Sequence, residues 1–378
     1  MGLRQRALEN VELIGFSAVA SLPSSEFWRN KRVLLTGHTG FKGSWLAHWL
    51  SHLGAEVTGV ALPPEDRPSL FELSHVTQIC DSRFCDLLQP EHLANVLADQ
   101  APDVVFHLAA QPLVRRSLLE PAETFATNVQ GTVNLLAWLA KNAAPKAILV
   151  VTSDKVYRND GLNQAFGEHD PLGGSDPYSA SKAAAELAVR SFAKSFFQPR
   201  GIAVATARGG NVIGGGDFSQ DRIVPDCVRA AMDGATLRLR HPEATRPWQH
   251  VLDCLGGYLL FAEALCSPGP SPEALNFGPD PAEPITVGEL ANVLLDALDA
   301  QIDRQHVPDV GSKEVQTLSI DASLAKQCLG WRSRLSGREL IDATADWYRR
   351  WQAGQDMQAT TLADIRWYEQ LQDEMTYV

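Results

Sequence analysis

The sequence predicts an α/β fold, a doubly wound parallel sheet followed by a smaller C-terminal α/β domain. Three observations support this prediction. Apolar, β-branched runs alternate with segments whose apolar residues recur at helical spacing, as a parallel sheet with crossover helices requires. A glycine-rich turn joins the first of these runs to the first helical segment. After Gly209 the pattern changes to glycine-rich and proline-rich stretches, which indicates a second unit.

The first apolar run leads into a Gly-x-x-Gly-x-x-Gly turn and then into a helical pattern. Such a turn brings backbone N–H groups at a helix N-terminus onto a nucleotide pyrophosphate. Gly37 would permit the tight turn, Gly40 the close approach of phosphate, and Gly43 the packing of helix on strand. His38 and Lys42 would add positive charge facing the phosphates. The alternative is a glycine turn that binds no ligand.

The rest of the first unit continues to alternate. Short apolar runs that end in polar or small residues predict strands, and longer amphipathic segments predict helices. The fourth strand ends in Ala109 and Ala110, whose small side chains would let a flat cofactor ring approach. The predicted elements are strands at 56–62, 78–85, 103–108, 147–151 and 201–208, and helices at 90–100 and 121–142.

The fifth predicted strand ends abruptly in a polar cluster that includes Ser153, Asp154 and Lys155. Ligands of open α/β sheets bind beyond the carboxyl ends of the strands, where this cluster falls. Ser and Asp are also common in ordinary turns, which is the alternative interpretation. The helix that follows favours a functional role, because it carries a second chemical motif.

That motif is Tyr178 and Lys182, four residues apart in a predicted helix. This spacing is about one turn, or ~6 Å of rise, so both side chains project from one face. A phenol normally loses its proton near pH ~10. A neighbouring ammonium favours the phenolate and brings it into the range of a general base. An isolated Tyr-x-x-x-Lys pattern is usually a solvated helix face, but the two upstream segments favour a catalytic pair.

Composition excludes several classes of function. The chain has 33 Lys and Arg against 45 Asp and Glu, a net charge of −12, which disfavours nucleic acid and anionic membranes as partners. Six cysteines without paired metal spacing predict reduced cytoplasmic thiols and no metal site. No apolar run approaches the ~20 residues of a transmembrane helix. We therefore expect a soluble cytoplasmic enzyme.

Several dispersed motifs occur in a fixed order from Phe27 to Tyr348. Together they resemble the extended short-chain dehydrogenase/reductase superfamily, and within it the nucleotide-sugar 4,6-dehydratases, most closely the branch that acts on CDP-glucose. The motifs are TGHTGFKGSWL (36–46), FHLAAQPLVR (106–115), TSDKVY (152–157), DPYSASK (176–182), RGGNVIGGGDF (208–218), RPWQHV (246–251) and NFGP (276–279).

The resemblance implies a tightly held NAD. Chains of this fold that prefer NAD usually place an acid at the end of the second strand. Here that strand ends at Leu62, and the nearest acids, Glu65 and Asp66, lie beside Arg67, which leaves NADP open. Asp86 matches the position beside the adenine. The expected cofactor-binding residues are Gly37, His38, Thr39, Gly40, Phe41, Lys42, Gly43, Asp86, Leu108, Ala109, Ala110, Asn128, Tyr178 and Lys182.

The resemblance also implies roles in catalysis. Tyr178, its pKa lowered by Lys182, would take the proton of the sugar 4-hydroxyl while C4 reduces NAD, and Ser153 would hydrogen-bond the same oxygen. Asp154 would protonate the departing 6-hydroxyl, and hydride would then return to C6. Lys155 would remove the C5 proton, for which it must be neutral. Many dTDP-sugar dehydratases carry Glu there, so this Lys is the main reason for choosing the CDP-glucose branch.

Matched positions imply the substrate contacts. Asn211 and Val212 would approach the pyrophosphate and nucleobase, and Arg222 and Arg246 the phosphates, which arginine binds bidentately. A surface salt bridge is the alternative for each arginine alone. The full expected set is Gln111, Arg208, Asn211, Val212, Arg222, Arg246 and His250. Rival functions are a nucleotide-sugar 4-epimerase, a dehydratase of another nucleotide sugar, and a non-catalytic sensor.

The resemblance implies a homodimer and two domains. Helices 121–142 and 178–197 would pair with their copies in a four-helix bundle, because Leu135, Leu136, Trp138 and Leu139 cannot all face the sheet. Residues 1–26 would be a disordered extension. Residues 27–208 with about 249–279 would form the NAD-binding Rossmann domain. Residues 209–248 with 280–355, including helices at 287–298 and 337–351, would form the nucleotide-sugar-binding domain.

Overall fold

The structure is a computed structural model that describes residues 22–161, 164–279, 285–307 and 319–371. Most of the predicted extension at 1–26 lies outside the described residues. The strands are β1 (Arg32–Thr36), β2 (Glu56–Ala61), β3 (Asp81–Phe84), β4 (Val104–His107), β5 (Ala147–Val151), β6 (Ala203–Gly209), β7 (Asn211–Ile213), β8 (Leu237–Leu239), β9 (Thr245–Arg246), β10 (Trp248–His250), β11 (Ala274–Phe277), β12 (Ile285–Thr286) and β13 (Arg304–His306).

Helices connect these strands. The α-helices are α1 (Ser25–Trp28), α2 (Phe41–His52), α3 (Leu70–Leu73), α4 (Pro90–Val96), α5 (Val114–Leu119), α6 (Pro121–Phe125), α7 (Thr132–Asn142), α8 (Pro177–Phe192), α9 (Ile223–Asp233), α10 (Val251–Cys266), α11 (Val287–Ala297), α12 (Ser323–Leu329), α13 (Gly337–Gln352) and α14 (Met357–Gln370). Short 3₁₀ or π segments lie at Val76–Gln78, Ala126–Gly131, Asp154–Val156, Ala193–Phe197 and Gln198–Arg200. Within the described ranges, no helix is both long and apolar enough to cross a bilayer.

Seven parallel strands form the central sheet in the order β3-β2-β1-β4-β5-β6-β11. The strand order reverses between β1 and β4, and ligands of such sheets bind at the carboxyl ends beside that reversal. The predicted fold class is confirmed. The predicted third strand is shorter than expected, because Val76–Gln78 form a 3₁₀ turn before β3.

Both faces of the sheet are buried, as a doubly wound fold requires. Successive residues of a strand point to opposite faces, so Val33 and Leu35 pack into one hydrophobic core and Leu34 into the other. The first core contains α2 and α10. The second contains α7, whose Leu135, Leu136 and Leu139 are all fully buried. These three leucines therefore face the core, whereas Trp138, the fourth apolar residue of the predicted pattern, is only half-buried.

The predicted helix at 121–142 changes its hydrogen bonding in the middle. Segments α6 and α7 are joined by a π segment at Ala126–Gly131, which contains Asn128. The Asn128 carbonyl accepts a hydrogen bond from Thr132 Oγ1 at 2.7 Å, and the Asn128 side chain reaches the loop after β4. Single π turns of this kind are frequent at functional sites.

After β6 the chain leaves the central sheet and forms two-stranded pairs, β7 with β10, β9 with β12, and β8 with β13. It returns through α10, which packs on β5 and β6, and through β11. Asp253 at the start of α10 anchors the C-terminal part. Its buried carboxylate accepts hydrogen bonds from Ser333 Oγ, the backbone N–H groups of Arg334 and Leu335, and Tyr368 Oη.

Candidate active site

A cavity of about 1240 Å³ opens at the carboxyl ends of the central strands. Pockets for one drug-sized ligand are about 300–1,000 Å³, so this cavity is large enough for more than one. Most residues expected at the site line it. They are Gly37, Thr39, Gly40, Phe41, Lys42, Gly43, Asp86, Leu108, Ala109, Ala110, Gln111, Ser153, Asp154, Lys155, Tyr178, Lys182, Asn211, Val212, Arg222 and Arg246.

The three glycines of the loop differ in their surroundings. Gly37 has a φ of +80°, and an added methyl group there would lie 2.6 Å from the Ala109 nitrogen. A methyl group at Gly43 would lie 2.0 Å from the Gly37 carbonyl oxygen. At Gly40 the same oxygen is 3.5 Å away, an ordinary contact. The protein itself therefore has room for a side chain at Gly40, where α2 begins without a side-chain cap on its N–H groups. That is the geometry of an anion site.

His38 does not supply a charge to this loop. Its ring is fully buried under β2, where a methyl group at Gly59 would meet it at 2.4 Å, and its Nε2 pairs with Ser82 Oγ at 2.7 Å. Burial lowers the pKa of His38 to about 4, so the ring is neutral at physiological pH. The expectation of a positive charge facing the phosphates is wrong for this residue, and the side chain does not line the cavity.

Lys42 lines the cavity, but its ammonium contacts a neighbour from α10. Its Nζ lies 3.5 Å from Tyr258 Oη and 5.6 Å from the centre of that ring. Burial lowers the Lys42 pKa; the nearby Arg222 charge adds to that shift, and Asp154 opposes it. The ammonium therefore sits near the catalytic cluster as well as at the start of α2.

Three other expected contacts lie outside the cavity lining. Asn128 is buried, and its amide binds the backbone N–H and carbonyl of Gln111 and the Ser181 hydroxyl. His250 caps α10, since its Nδ1 accepts from the Leu252 N–H. Asn128 and His250 therefore act on the framework around the site, and the expectation of direct ligand contact does not match their positions.

Arg208 is the third of these residues. It is 4% exposed, and its guanidinium binds Glu186, Tyr157 Oη and the Glu168 carbonyl. These bonds occupy Nε and both terminal nitrogens, so the side chain cannot also bind a phosphate in this arrangement. The expectation of a substrate contact is wrong for Arg208.

The catalytic cluster is held by β5 and α8. Asp176 caps α8 by accepting from the Ser179 N–H at 2.9 Å, and Pro177 occupies the first turn, where its missing N–H costs nothing. Tyr178 and Lys182 are both buried on one face of this helix. Lys182 Nζ donates to the Val151 carbonyl at 3.2 Å. The end of β5 and the first turns of α8 are thus in contact beside Tyr178 and Lys182.

Burial dominates the titration of this pair. It raises the pKa of Tyr178 to about 12, and a hydrogen bond with Ser153 opposes that rise. Burial lowers the pKa of Lys182 to about 7, with Lys42 also lowering it and Glu186 raising it. The Ser153 hydroxyl and the Arg222 charge both favour the phenolate of Tyr178, and the expected contribution of Lys182 stays a prediction.

Asp154 is arranged as an acid. It is 3% exposed, its Oδ1 accepts from Ser153 Oγ at 2.9 Å, and its Oδ2 has no hydrogen-bond partner among the described residues. Burial raises its pKa, although Lys155, Ser153, Arg246 and Lys42 all oppose the shift. A raised pKa keeps a carboxyl protonated closer to neutral pH, which suits a general acid. Lys155 is half-buried and lines the same cavity.

The opposite wall carries basic side chains. Arg246 is 7% exposed and donates to the Thr245 carbonyl at 2.8 Å. Arg222 is paired with buried Asp217 at 3.1 Å. Sequence reasoning missed Asp217, and also Arg240, which lines the cavity and pairs with Asp221 at 2.7 Å. The glycine run just before Asp217 was the available signal.

Strand β2 ends at Ala61 with no acid at its end. The nearest acid there, Glu65, is bound to Arg116 at 2.6 Å across the cavity mouth. Thr39 Oγ1 donates to the Leu62 carbonyl at 2.9 Å, which fixes the loop after β2 against the glycine turn. Asp86 follows β3 and lines the cavity.

Comparisons with known proteins fit this geometry. The sequence profile of the NAD dependent epimerase/dehydratase family matches residues 33–278. CDP-glucose 4,6-dehydratase from Salmonella typhimurium is 40% identical over 352 residues, with 90% of this chain and 97% of that protein covered. dTDP-glucose 4,6-dehydratase from Streptomyces antibioticus is 31% identical, with 84% of this chain and 92% of that protein covered.

Solved structures have the same fold. dTDP-glucose 4,6-dehydratase from Streptomyces venezuelae, solved with NAD bound, superposes with a TM-score of 0.72 at 27% identity, covering 86% of this chain and 99% of that one. UDP-glucose 4-epimerase from Thermotoga maritima superposes with a TM-score of 0.75 at 22% identity, covering 85% and 99%. At 22% identity the likeness concerns the fold alone.

Proposed function

Because this chain belongs to the NAD dependent epimerase/dehydratase family, we propose that it is an NAD-dependent CDP-glucose 4,6-dehydratase. It would convert CDP-glucose to CDP-4-dehydro-6-deoxyglucose and water. The observation that carries the proposal is the cluster of Ser153, Asp154, Tyr178 and Lys182 in one cavity, in a chain 40% identical to an enzyme of that name. The acid beside the Tyr–Lys pair favours a dehydratase over an epimerase, which needs no such acid.

The residues of the cavity fit NAD. The uncapped start of α2, the space at Gly40 and the small Ala109 and Ala110 can hold a pyrophosphate and a flat ring. When bound, NAD would supply reversible oxidation of the sugar. Asp86 would contact the adenosine half, and Tyr178 and Lys182 would lie at the ring that reacts. Asn128 would act indirectly, by fixing the backbone of Gln111.

The side chains would then divide the work between two stages. In the first, Tyr178 takes the proton of the 4-hydroxyl, and Ser153 hydrogen-bonds the same oxygen. The 4-ketone acidifies the proton on C5. In the second stage Lys155 removes that proton, and Asp154 protonates the departing 6-hydroxyl. Burial of Asp154 supports its role, because the raised pKa keeps the proton available.

The substrate would lie along the wall formed by β7 and the basic residues. Arg222 and Arg246 line it at the phosphate end, and Asn211 and Val212 lie on β7. We propose that the unit after Gly209, together with 280–355, is the nucleotide-sugar-binding domain. The NAD-binding domain would comprise 27–208 with about 249–279. A cytoplasmic location agrees with six cysteines that form no disulfide.

The glycine loop gives a paired prediction. We expect Gly43→Ala to destabilise the free protein by about 1–3 kcal/mol, because its methyl group would overlap the Gly37 carbonyl. Gly40→Ala should leave the melting temperature of the free protein unchanged but weaken NAD binding at least about tenfold, since the methyl group would occupy the phosphate position. Thermal denaturation and NAD titration measure the two effects. Unchanged NAD affinity in Gly40→Ala would contradict the pyrophosphate assignment.

We also propose a homodimer, and its contact face would include the two predicted helices, 121–142 and 178–197, together with α5. Exposed apolar side chains lie on α5, α6 and α8 and just after α8, namely Leu118, Leu119, Phe125, Leu187 and Phe196. An exposed apolar patch of this kind commonly marks an interface. Light scattering at micromolar concentration should give a dimer, and Leu187→Glu should give a monomer. A wild-type monomer would contradict this proposal without affecting the proposed reaction.

Product analysis tests the function. Purified protein is incubated with NAD and CDP-glucose, and in parallel with dTDP-glucose and UDP-glucose. We expect a product one water lighter than CDP-glucose, with the alkaline ultraviolet absorbance of a 4-keto-6-deoxy sugar. Preference for another nucleotide would contradict the substrate but keep the dehydratase. CDP-galactose would mean an epimerase, and no turnover of any sugar would favour a non-catalytic protein.

A further inference from the structure

Below the catalytic cluster lies a buried ion pair that the two reaction stages leave unused. The Glu186 carboxylate accepts from Arg208 Nε at 2.9 Å and Nη2 at 2.8 Å, and both side chains are 5% exposed. It also accepts from Thr152 Oγ1 at 2.5 Å and Thr206 Oγ1 at 2.8 Å. Four hydrogen bonds thus hold this carboxylate as an anion against its burial.

Glu186 stands in register with the catalytic pair. Tyr178, Lys182 and Glu186 follow one another at four-residue spacing, so they share one face of α8. Lys182 Nζ binds the Val151 carbonyl, and the next residue of the chain, Thr152, binds Glu186. Val151 and Thr152, the two residues before Ser153, are therefore hydrogen-bonded to two successive turns of α8.

The position of Glu186 bears on catalysis because the other charged group near Lys182 disfavours its ammonium form. From α2, Lys42 opposes the charge on Lys182, and from β4, His107 is neutral because burial lowers its pKa to about 3. Glu186 favours the charged ammonium. Around Tyr178, the titratable and charged groups include Lys182, one turn along α8, and Asp154, Asp176, Arg222 and Tyr258.

We propose that Glu186, held by Arg208, is a positioning residue: its carboxylate, one helical turn from Lys182, stabilises the Lys182 ammonium and fixes the end of β5 that carries Ser153. A neutral amine could not stabilise the developing phenolate of Tyr178 electrostatically. Arg208 keeps the carboxylate in place from the side away from the cavity, since it does not line that cavity. The inference rests on the proposed function for its kinetic consequence only.

The direct test is an NMR titration of ε-¹³C-labelled lysines in the full-length protein, with the Lys182 signal assigned by Lys182→Met. In Glu186→Gln the Lys182 pKa should fall by at least about one unit, because the anion is lost and the Arg208 cation remains. Glu186→Asp keeps the charge and should restore most of the shift. An unchanged Lys182 pKa in Glu186→Gln would overturn the proposal, whatever the substrate of the enzyme is.

Kinetics supply a second readout. Single-turnover NADH formation with CDP-glucose at pH 7 should slow about tenfold in Glu186→Gln, with KM unchanged, because the ion pair lies outside the cavity. With less charge on Lys182, the phenolate of Tyr178 forms at higher pH. The acid limb of the pH–rate profile should therefore move to higher pH. An unmoved limb with lowered stability would mean a merely structural role.

Two further variants keep the test decisive. If Glu186→Gln does not fold because Arg208 is left unpaired, the neutral double variant Glu186→Gln/Arg208→Gln replaces it and should shift the Lys182 pKa in the same direction. Asp253→Asn is the matched control. Asp253, like Glu186, is a buried carboxylate with four hydrogen bonds outside the cavity, but its donors come from the C-terminal part of the chain and not from the end of β5. It should lower stability without moving the Lys182 pKa or the acid limb.

Discussion

Replacing Tyr178 by Phe should abolish the first stage of the reaction, so that neither NADH absorbance nor a keto sugar accumulates. The change removes one hydroxyl, which is the group that accepts the 4-hydroxyl proton. General-base assistance is typically worth about 10²–10⁴-fold, so we expect a loss of at least that size in the oxidation rate. Single-turnover stopped-flow absorbance of NADH measures it.

Tyr368→Phe is the control for this change. It removes another buried tyrosine hydroxyl, which binds Asp253 at 2.7 Å far along the chain from the catalytic cluster. The loss of that hydrogen bond should cost about 1 kcal/mol of stability and leave the oxidation rate unchanged. Oxidation that persists in Tyr178→Phe would mean that another group is the base.

Replacing Asp154 by Asn should cause NADH to accumulate within a single turnover, whereas Tyr178→Phe should prevent its formation. The amide keeps the size of the side chain and its place beside Ser153, so oxidation can proceed. It withdraws the acid that helps the 6-hydroxyl leave, which should slow elimination by about 10²–10⁴-fold and make it the slow step. Lys155→Met should likewise stop exchange of the C5 proton with deuterated water while permitting oxidation.

The contrast between these variants tests the assignment of roles. If Asp154→Asn abolished NADH formation while Tyr178→Phe retained it, the assignment of oxidation to Tyr178 and elimination to Asp154 would be wrong. Asp253→Asn again serves as the control for loss of a buried carboxylate outside the cavity, and it should change neither stage.

The sequence was informative where the signal is local. Some motifs occupy only a few consecutive residues, such as the glycine turn between strand and helix and the polar cluster at a strand end. They can therefore be recognised without knowledge of the fold. The sheet and its ligand-binding edge follow from such segments in order. The Tyr178 and Lys182 pair is of the same kind, since helical spacing alone places both side chains on one face.

Side-chain direction and pairing across the fold were not predictable in this way. His38 is neutral because Gly59, on the neighbouring strand, leaves space for its ring to be buried. Arg208 does not reach the cavity because its partner, Glu186, comes from a helix earlier in the chain. In each case the deciding neighbour is distant in sequence, and no local pattern identifies it.

The same limit applies to the surface. The spacing of Leu135, Leu136, Trp138 and Leu139 suggested two helix faces. The second core buries the three leucines and leaves Trp138 half-buried. The exposed apolar residues of the two predicted helices are Phe125, Leu187 and Phe196, which the spacing did not identify. A single helical pattern cannot report how deeply a helix is embedded, because that depends on the elements packed around it.

In the proposed reaction, oxidation at C4 and reduction at C6 occur in one active site, with elimination of water between them. The most direct test uses CDP-glucose labelled with deuterium at C4, with the product examined by NMR. We expect a 4-keto-6-deoxy sugar that carries the deuterium at C6 and, in deuterated water, solvent deuterium at C5. Deuterium retained at C4 of an epimerised sugar, or lost to solvent, would contradict it.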